Sequence, residues 1–232
     1  MTIRDNLQIT GANIQKFAQK YHRPATDIQL LAVSKKHSAE SIQKAFEAGQ
    51  HSFGENYVQE LLDKAEHLKE LEIDWHFIGP LQANKTKKIS QVASWVHTID
   101  RFKIAKRLNE QRPDNLLPLS VCIQVNISAE ESKSGVLAEE VAQLAKQILE
   151  LPRLRLRGLM AIPAPESDFN QQRAVFKKVA ELKEKLNKEL HSLLDHPLDT
   201  LSMGMSADME AAIAEGATIV RIGTAIFGIR EL

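Results

Sequence analysis

Lys35 closes the run Leu31-Ala32-Val33-Ser34-Lys35. Side chains of a strand alternate between faces, so Leu31, Val33 and Lys35 share one face if this run is a strand. With Val33 pointing into a closed sheet, the Lys35 amine is delivered to its mouth. Partial desolvation there favours the neutral amine, which condenses with aldehydes. Periodicity alone more often describes a solvated lysine at a strand end, so the amine needs corroboration from elsewhere in the chain.

That corroboration lies near the C-terminus, in Leu201-Ser202-Met203-Gly204-Met205-Ser206 and Arg221-Ile222-Gly223-Thr224. Small residues let backbone amides approach an anion, the hydroxyls of Ser202, Ser206 and Thr224 can donate, and a short helix opening at Thr224 would add its dipole. Each loop alone is equally well read as a tight turn permitted by Gly204 or Gly223. Two such loops in successive segments make a phosphate-type site the better reading. Alternation along the last strand turns Ile219 and Arg221 inward and Thr218, Val220 and Ile222 outward. An inward guanidinium needs an acceptor, either a carboxylate or a ligand atom.

Asn56 in Gly54-Glu55-Asn56 and His76 in Trp75-His76-Phe77-Ile78 bring polar groups to neighbouring positions. Both could line a pocket, although Asn56 also suits a helix N-cap and His76 a satisfied core histidine. Gln124 and Asn126 share a face of a later strand, either as a polar inner layer or as strand-end hydrogen bonding. No metal-ligand spacing is found, and the single cysteine, Cys122, reads as core filler between Val121 and Ile123.

Eight strand-like runs must position these groups: 28–34, 52–53, 75–78, 95–99, 119–127, 154–162, 200–202 and 218–222. Helical spacing lies between them, at about 38–49, 57–71, 84–92, 101–111, 137–150, 169–191 and 206–215, after a leading helix within residues 1–24. This alternation predicts an α/β protein with a parallel sheet. Eight strands fit a closed (β/α)₈ barrel of the TIM type better than an open sheet, in one domain spanning 1–232. In such barrels the active site lies at the C-terminal ends of the strands, where Lys35, Asn56 and both loops fall.

Lys plus Arg balances Asp plus Glu, 30 against 30, so no long-range field gathers nucleic acid or anionic membrane. The run Lys85-Thr86-Lys87-Lys88 lacks interleaved aromatics and reads as a solvated helix face. No apolar run reaches membrane-spanning length and the opening residues lack a secretion-signal layout, which places the chain in the cytoplasm.

The ordered motifs Ala32-Val33-Ser34-Lys35, Phe53-Gly54-Glu55-Asn56-Tyr57-Val58-Gln59-Glu60, Trp75-His76-Phe77-Ile78-Gly79-Pro80-Leu81-Gln82, Ser132-Lys133-Ser134-Gly135, Arg157-Gly158-Leu159-Met160, Leu201-Ser202-Met203-Gly204-Met205-Ser206 and Arg221-Ile222-Gly223-Thr224 strongly resemble the pyridoxal phosphate homeostasis protein family. The match runs from about residue 28 to 228. It implies a barrel like the N-terminal domain of alanine racemase, with an added leading helix and without the racemases' C-terminal β domain. It further implies pyridoxal 5′-phosphate (PLP) held as a Schiff base on Lys35. Its phosphate would be bound by the loop containing Ser202, Met203 and Ser206 and by Gly223 and Thr224, with Arg221 near the pyridine nitrogen and Asn56 and His76 in the pocket. An arginine there disfavours a protonated ring nitrogen and so weakens the ring as an electron sink.

One departure stands out: the family often shows Val-Ser-Lys-Thr-Lys-Pro where this chain reads Val33-Ser34-Lys35-Lys36-His37-Ser38. His37 cannot form a Schiff base, which leaves Lys36, Lys64 or Lys133 for any role in passing the cofactor on. The implied function is intracellular buffering or delivery of PLP, with the cofactor and PLP-dependent apoenzymes as partners, no assigned catalytic residue and a monomeric state. The alternatives are a PLP-dependent amino-acid racemase, for which His76 would have to supply the second acid/base, and a Schiff-base aldolase acting on a phosphorylated sugar.

Overall fold

The computed structural model describes residues 1–128 and 134–228. Eight parallel strands close into a barrel in sequence order: β1 (Gln29–Val33), β2 (Ser52–Glu55), β3 (Asp74–Phe77), β4 (Trp95–Ile99), β5 (Leu119–Val125), β6 (Leu154–Ala161), β7 (Thr200–Ser202) and β8 (Ile219–Ile222). Closure is made by β8 on β1, with Leu31 opposite Arg221 and Ala32 opposite Ile222. The expected count and order of strands are therefore present. Strand β2 is longer than its two-residue apolar signal, because Gly54 and Glu55 are paired to Val33 on one side and to His76 and Phe77 on the other. Ladder partners on both edges override the weak intrinsic strand preference of Gly and Glu.

Helices α1 (Ile3–Lys20), α2 (Ala39–Glu47), α3 (Val58–His67), α4 (Thr86–Val92), α5 (Phe102–Gln111), α6 (Val141–Leu149), α7 (Phe169–Glu189), α8 (Met209–Ala214) and α9 (Thr224–Phe227) surround the sheet. Helix α8 starts three residues later than the spacing suggests. The stretch Met205–Asp208 is instead a turn in which Asp208 Oδ1 accepts from the Met205 amide at 2.5 Å and the Asp208 amide donates to the Met205 carbonyl. Helix α1 opens on a Thr2–Asp5 capping box and buries Thr10, Ile14 and Ala18. It is tied to the end of the chain by Asn6 Nδ2 donating to the Ile226 carbonyl at 2.8 Å, so the leading helix braces α8 and α9.

The apolar residues divide into two bodies. The larger lies between sheet and helices and holds Phe53, Phe77, Phe176, Val220 and Ile222. Each fully buried side chain of this size contributes about 1.5–3 kcal/mol relative to exposure. The smaller lies inside the barrel and consists of Leu31, Val33, Ile78 and Ile219, with Trp95 against it. The expected faces of β1 and β8 are thus observed. Cys122 is fully buried, and burial pushes its thiol up to about 12, which leaves it unreactive at neutral pH.

Candidate cofactor site

Strand β1 ends one residue before Ser34, and the chain then turns so that Lys35 lies on a cavity of about 290 Å³ at the C-terminal mouth of the barrel. This is near the lower end of ordinary ligand pockets, about 300–1,000 Å³, and suits one small molecule. Its polar lining comes from Lys35, Asn56, Ser206, Arg221 and Thr224, its apolar walls from Val33, Ile78, Ile162 and Met205, and Gly223 and Ala207 complete it. Lys35 is therefore brought together with both C-terminal loops, although they are far apart in sequence. Helix α9 has only four residues, too few aligned peptides for the dipole expected at Thr224; hydroxyls and loop amides remain.

A clamp sets the backbone on both sides of Lys35. Ser34 Oγ donates to Glu55 Oε1 at 2.7 Å, and Lys64 Nζ donates to the same oxygen at 2.7 Å, to the Ser34 carbonyl at 2.9 Å and to Glu60 Oε2 at 3.0 Å. Glu60 Oε2 also accepts from the Lys36 amide at 2.7 Å, holding Lys36 in a left-handed conformation at φ 61°. Burial pushes the Glu55 carboxyl up, against the pull of Lys64 and Ser34. The Lys64 ammonium is buried and committed to three acceptors, which hold this turn. Lys36 is exposed, while Lys133 lies outside the described residues.

Arg221 is nearly fully buried and faces the barrel interior. Its Nη1 donates to the Ser202 carbonyl at 2.5 Å and to Ser202 Oγ at 3.0 Å, and its Nη2 to the Ala161 carbonyl at 3.0 Å. Its hydrogen-bond partners among the described residues are thus two carbonyls and a hydroxyl. Desolvation pulls its pKa down to about 10, which still leaves a cation at neutral pH. Gly204, at φ +93°, shapes the adjoining loop, and its carbonyl accepts from the Arg221 amide at 3.0 Å. A Cβ there would meet the Ala212 Cβ at 2.5 Å, so glycine is required on both counts.

His76, Ser202 and Met203 do not line the cavity. Met203 is fully buried in the outer core. His76 and Ser202 lie beneath the cavity, joined through His97: His76 Nδ1 is 2.9 Å from His97 Nε2, and His97 Nδ1 is 2.8 Å from Ser202 Oγ. Gln124 and Asn126 are buried away from the cavity, and Gln124 Nε2 donates to the Ser134 carbonyl at 3.3 Å. His97 is a residue that sequence reasoning missed. The available signal was a second histidine on the adjacent strand with the same inward parity as Trp95, whose Cα pairs with that of His76.

Burial first, and then the neighbouring His76 and Arg221, hold His97 well below the usual histidine range. The folded protein therefore keeps this ring neutral, whereas the unfolded chain protonates it below about pH 6.5. Stability is fully present above that pH and falls as the pH drops below it, by about 1.4 kcal/mol per pH unit until the folded ring titrates. Urea titrations between pH 7 and 5 should show this slope, and His97→Gln should remove it.

Gly79 follows β3 at the cavity rim. A Cβ there would lie 2.0 Å from the Asn56 carbonyl oxygen, a backbone atom that cannot move aside alone. Gly79→Ala should cost about 3 kcal/mol and weaken ligand retention by displacing Asn56, as read by thermal unfolding with and without ligand.

The donor set fits PLP. Lys35 offers an amine for an aldehyde, Ser206 and Thr224 offer hydroxyls for a phosphate, and Val33 and Ile78 offer apolar surface for a ring. Asn56 Oδ1 is buried without a hydrogen-bond partner among the described residues, so a ligand that brings a donor satisfies it. Among the described residues no cluster of three His, Cys, Asp or Glu could hold a metal ion.

The family model described as alanine racemase, N-terminal domain, matches residues 6–231. Relatives called pyridoxal phosphate homeostasis protein include that of Pasteurella multocida, 52% identical over 233 residues (100% of this chain, 99% of the relative). That of Vibrio cholerae is 52% identical over 234 residues, covering 99% and 97%. Among solved structures, PipY of Synechococcus elongatus with PLP bound superposes with a TM-score of 0.83 at 32% identity, covering 98% of this chain and 100% of that one. An alanine racemase from Clostridium difficile shares the fold at a TM-score of 0.70 and 14% identity, over 96% of this chain and 56% of that one.

Proposed function

Because the chain belongs to the pyridoxal phosphate homeostasis protein family, we propose that it binds PLP covalently through Lys35 and serves as an intracellular buffer and donor of that cofactor. The observation that carries this reading is the meeting of the Lys35 amine, the Ser206 and Thr224 hydroxyls and the Arg221 guanidinium around one cavity. When bound, PLP supplies an aldehyde that condenses with a lysine and a conjugated ring that absorbs near the visible edge. The Ser34–Glu55–Lys64–Glu60 clamp orients the Lys35 backbone, and Val33 and Ile78 exclude water from one side of the cavity. Arg221 places a fixed positive charge at the cavity floor, which opposes protonation of a ring nitrogen beside it.

Racemisation needs a second acid/base opposite the lysine. Lys35 and Arg221 are the only titratable side chains that line the cavity among the described residues. Tyr21 donates to Glu210 on the outer helices, Tyr57 is exposed outside the cavity, and both ring nitrogens of His76 are engaged below it. These placements support storage over turnover. Among the described residues no helix is long and apolar enough to cross a membrane. On this reading the chain acts as a cytoplasmic monomer that hands PLP to apoenzymes and has no nucleic-acid partner.

The test is reconstitution with PLP, followed by absorbance and by assays of racemisation over a panel of amino acids. A stable band near the visible edge with negligible turnover is expected. Robust racemisation would overturn the carrier reading, and failure to reconstitute would overturn the cofactor assignment.

A further inference from the structure

A column of buried polar groups runs along the barrel from its N-terminal mouth to the floor of the cavity. It begins at Asp74, the first residue of β3, whose side chain is 35% exposed and whose Oδ2 lies 2.8 Å from His76 Nε2. It continues from His76 Nδ1 to His97 Nε2 at 2.9 Å, from His97 Nδ1 to Ser202 Oγ at 2.8 Å, and from Ser202 Oγ to Arg221 Nη1 at 3.0 Å. His76, His97 and Ser202 have no exposed surface.

Donor chemistry determines the direction of this column. The Asp74 carboxylate only accepts, so His76 carries Nε2–H towards it. With both rings neutral, His76 Nδ1 then accepts from His97 Nε2–H and His97 Nδ1 accepts the Ser202 hydroxyl proton, while Ser202 Oγ accepts from Arg221. All four bonds point from the cavity to the opposite mouth.

One proton added to the column and held on His76 reverses that order. Ser202 Oγ passes its hydroxyl proton to His97 Nδ1 and takes the added proton in its place, and His97 passes its Nε2 proton to His76 Nδ1, while His76 keeps Nε2–H towards Asp74 Oδ2. Ser202 Oγ then receives two donors, His97 Nδ1–H and Arg221 Nη1–H, and its hydroxyl proton loses its acceptor. The proton count rises by one, and the disturbance ends on the group that holds Arg221.

We propose that this column is a relay through which the N-terminal mouth of the barrel sets the hydrogen bonding of Arg221, and with it the environment of the cofactor ring. Asp74, His76, His97 and Ser202 act as positioning residues in this scheme. The inference rests on reading the cavity as the PLP site. The surroundings suit a relay. The Trp95 ring stacks on His76 at 5.4 Å and 6°, and the Arg157 guanidinium, paired with Asp199, lies 4.9 Å from the Trp95 ring centroid. Among the described residues, the charged or titratable groups that bear on His97 are His76 and Arg221.

The first measurement needs no substitution and no cofactor. Ring nitrogens of ¹⁵N-histidine in the ligand-free protein should show Nε2–H for both His76 and His97 at pH 8. On acidification His97 should move to Nδ1–H together with the titration at the Asp74–His76 end. His97 found as Nδ1–H at pH 8, or unmoved by that titration, would overturn the relay. The second measurement follows the absorbance band of the PLP-loaded protein with pH, where a step should accompany the same titration and be lost in Asp74→Ala. A step unchanged in Asp74→Ala overturns the relay and leaves the cofactor assignment standing, whereas a wild-type protein without a band overturns both.

Discussion

Lys35→Ala is expected to abolish the band near the visible edge and to weaken retention of PLP by at least about 100-fold, equivalent to about 2.8 kcal/mol. Lys35 is the only lysine on the cavity among the described residues, so removal of its amine takes away the covalent attachment there. Residual binding should persist, because Ser206, Thr224, Arg221 and Asn56 still line the cavity. Equilibrium dialysis of both proteins against PLP, with absorbance spectra of the retained fractions, measures both effects. A band that survives the substitution would place the attachment on another lysine, and Lys36, exposed and next in the chain, would be tested next.

Lys64→Met should destabilise the fold by about 3–5 kcal/mol, the ordinary consequence of leaving a buried charge without its partner. The Glu55 side chain has no exposed surface and the Lys64 side chain only 10%, so water cannot replace the missing ammonium. Glu55 Oε2 already has no hydrogen-bond partner among the described residues, which concentrates the dependence on Oε1. The double substitution Lys64→Met with Glu55→Gln should recover much of the loss, because it removes both charges. Burial already raises the Glu55 pKa in the folded protein, and loss of Lys64 raises it further. The native state then binds an extra proton above the unfolded value of about 4.3, so the variant loses stability as pH rises through that window. Urea unfolding of the three variants measures this cycle, and a single-variant loss below about 1 kcal/mol would show that the pair is dispensable.

The same clamp explains why part of the site was legible and part was not. Lys35, Asn56, Ser206, Arg221, Gly223 and Thr224 were identifiable because each follows or ends a strand, and strand ends in this architecture converge on one mouth. In the sequence Ser202 reads as a phosphate-loop hydroxyl and His76 as a pocket-lining or core histidine, but position along a strand does not tell whether a side chain reaches the mouth or stops a layer below. His97 drew no attention because its signal, a histidine on the strand next to that of His76, lies across two segments and not within one. Lys64 stands in the sequence only as a candidate for passing the cofactor on; its place in the clamp was not legible, since its partners Ser34 and Glu55 come from two other segments.

What the sequence by itself determined is local and periodic. The alternation of strand and helix, the inward parity of Leu31, Val33, Ile219 and Arg221, and the punctuation of the C-terminal loops follow from side-chain spacing within single elements. Only the tertiary structure decided which inward groups meet. Pairing β8 with β1 joins residues nearly two hundred positions apart, and it sets the heights at which Asp74, His76, His97, Ser202 and Arg221 come within hydrogen-bonding distance. Register between strands depends on closure of the whole sheet, a property that no single segment encodes.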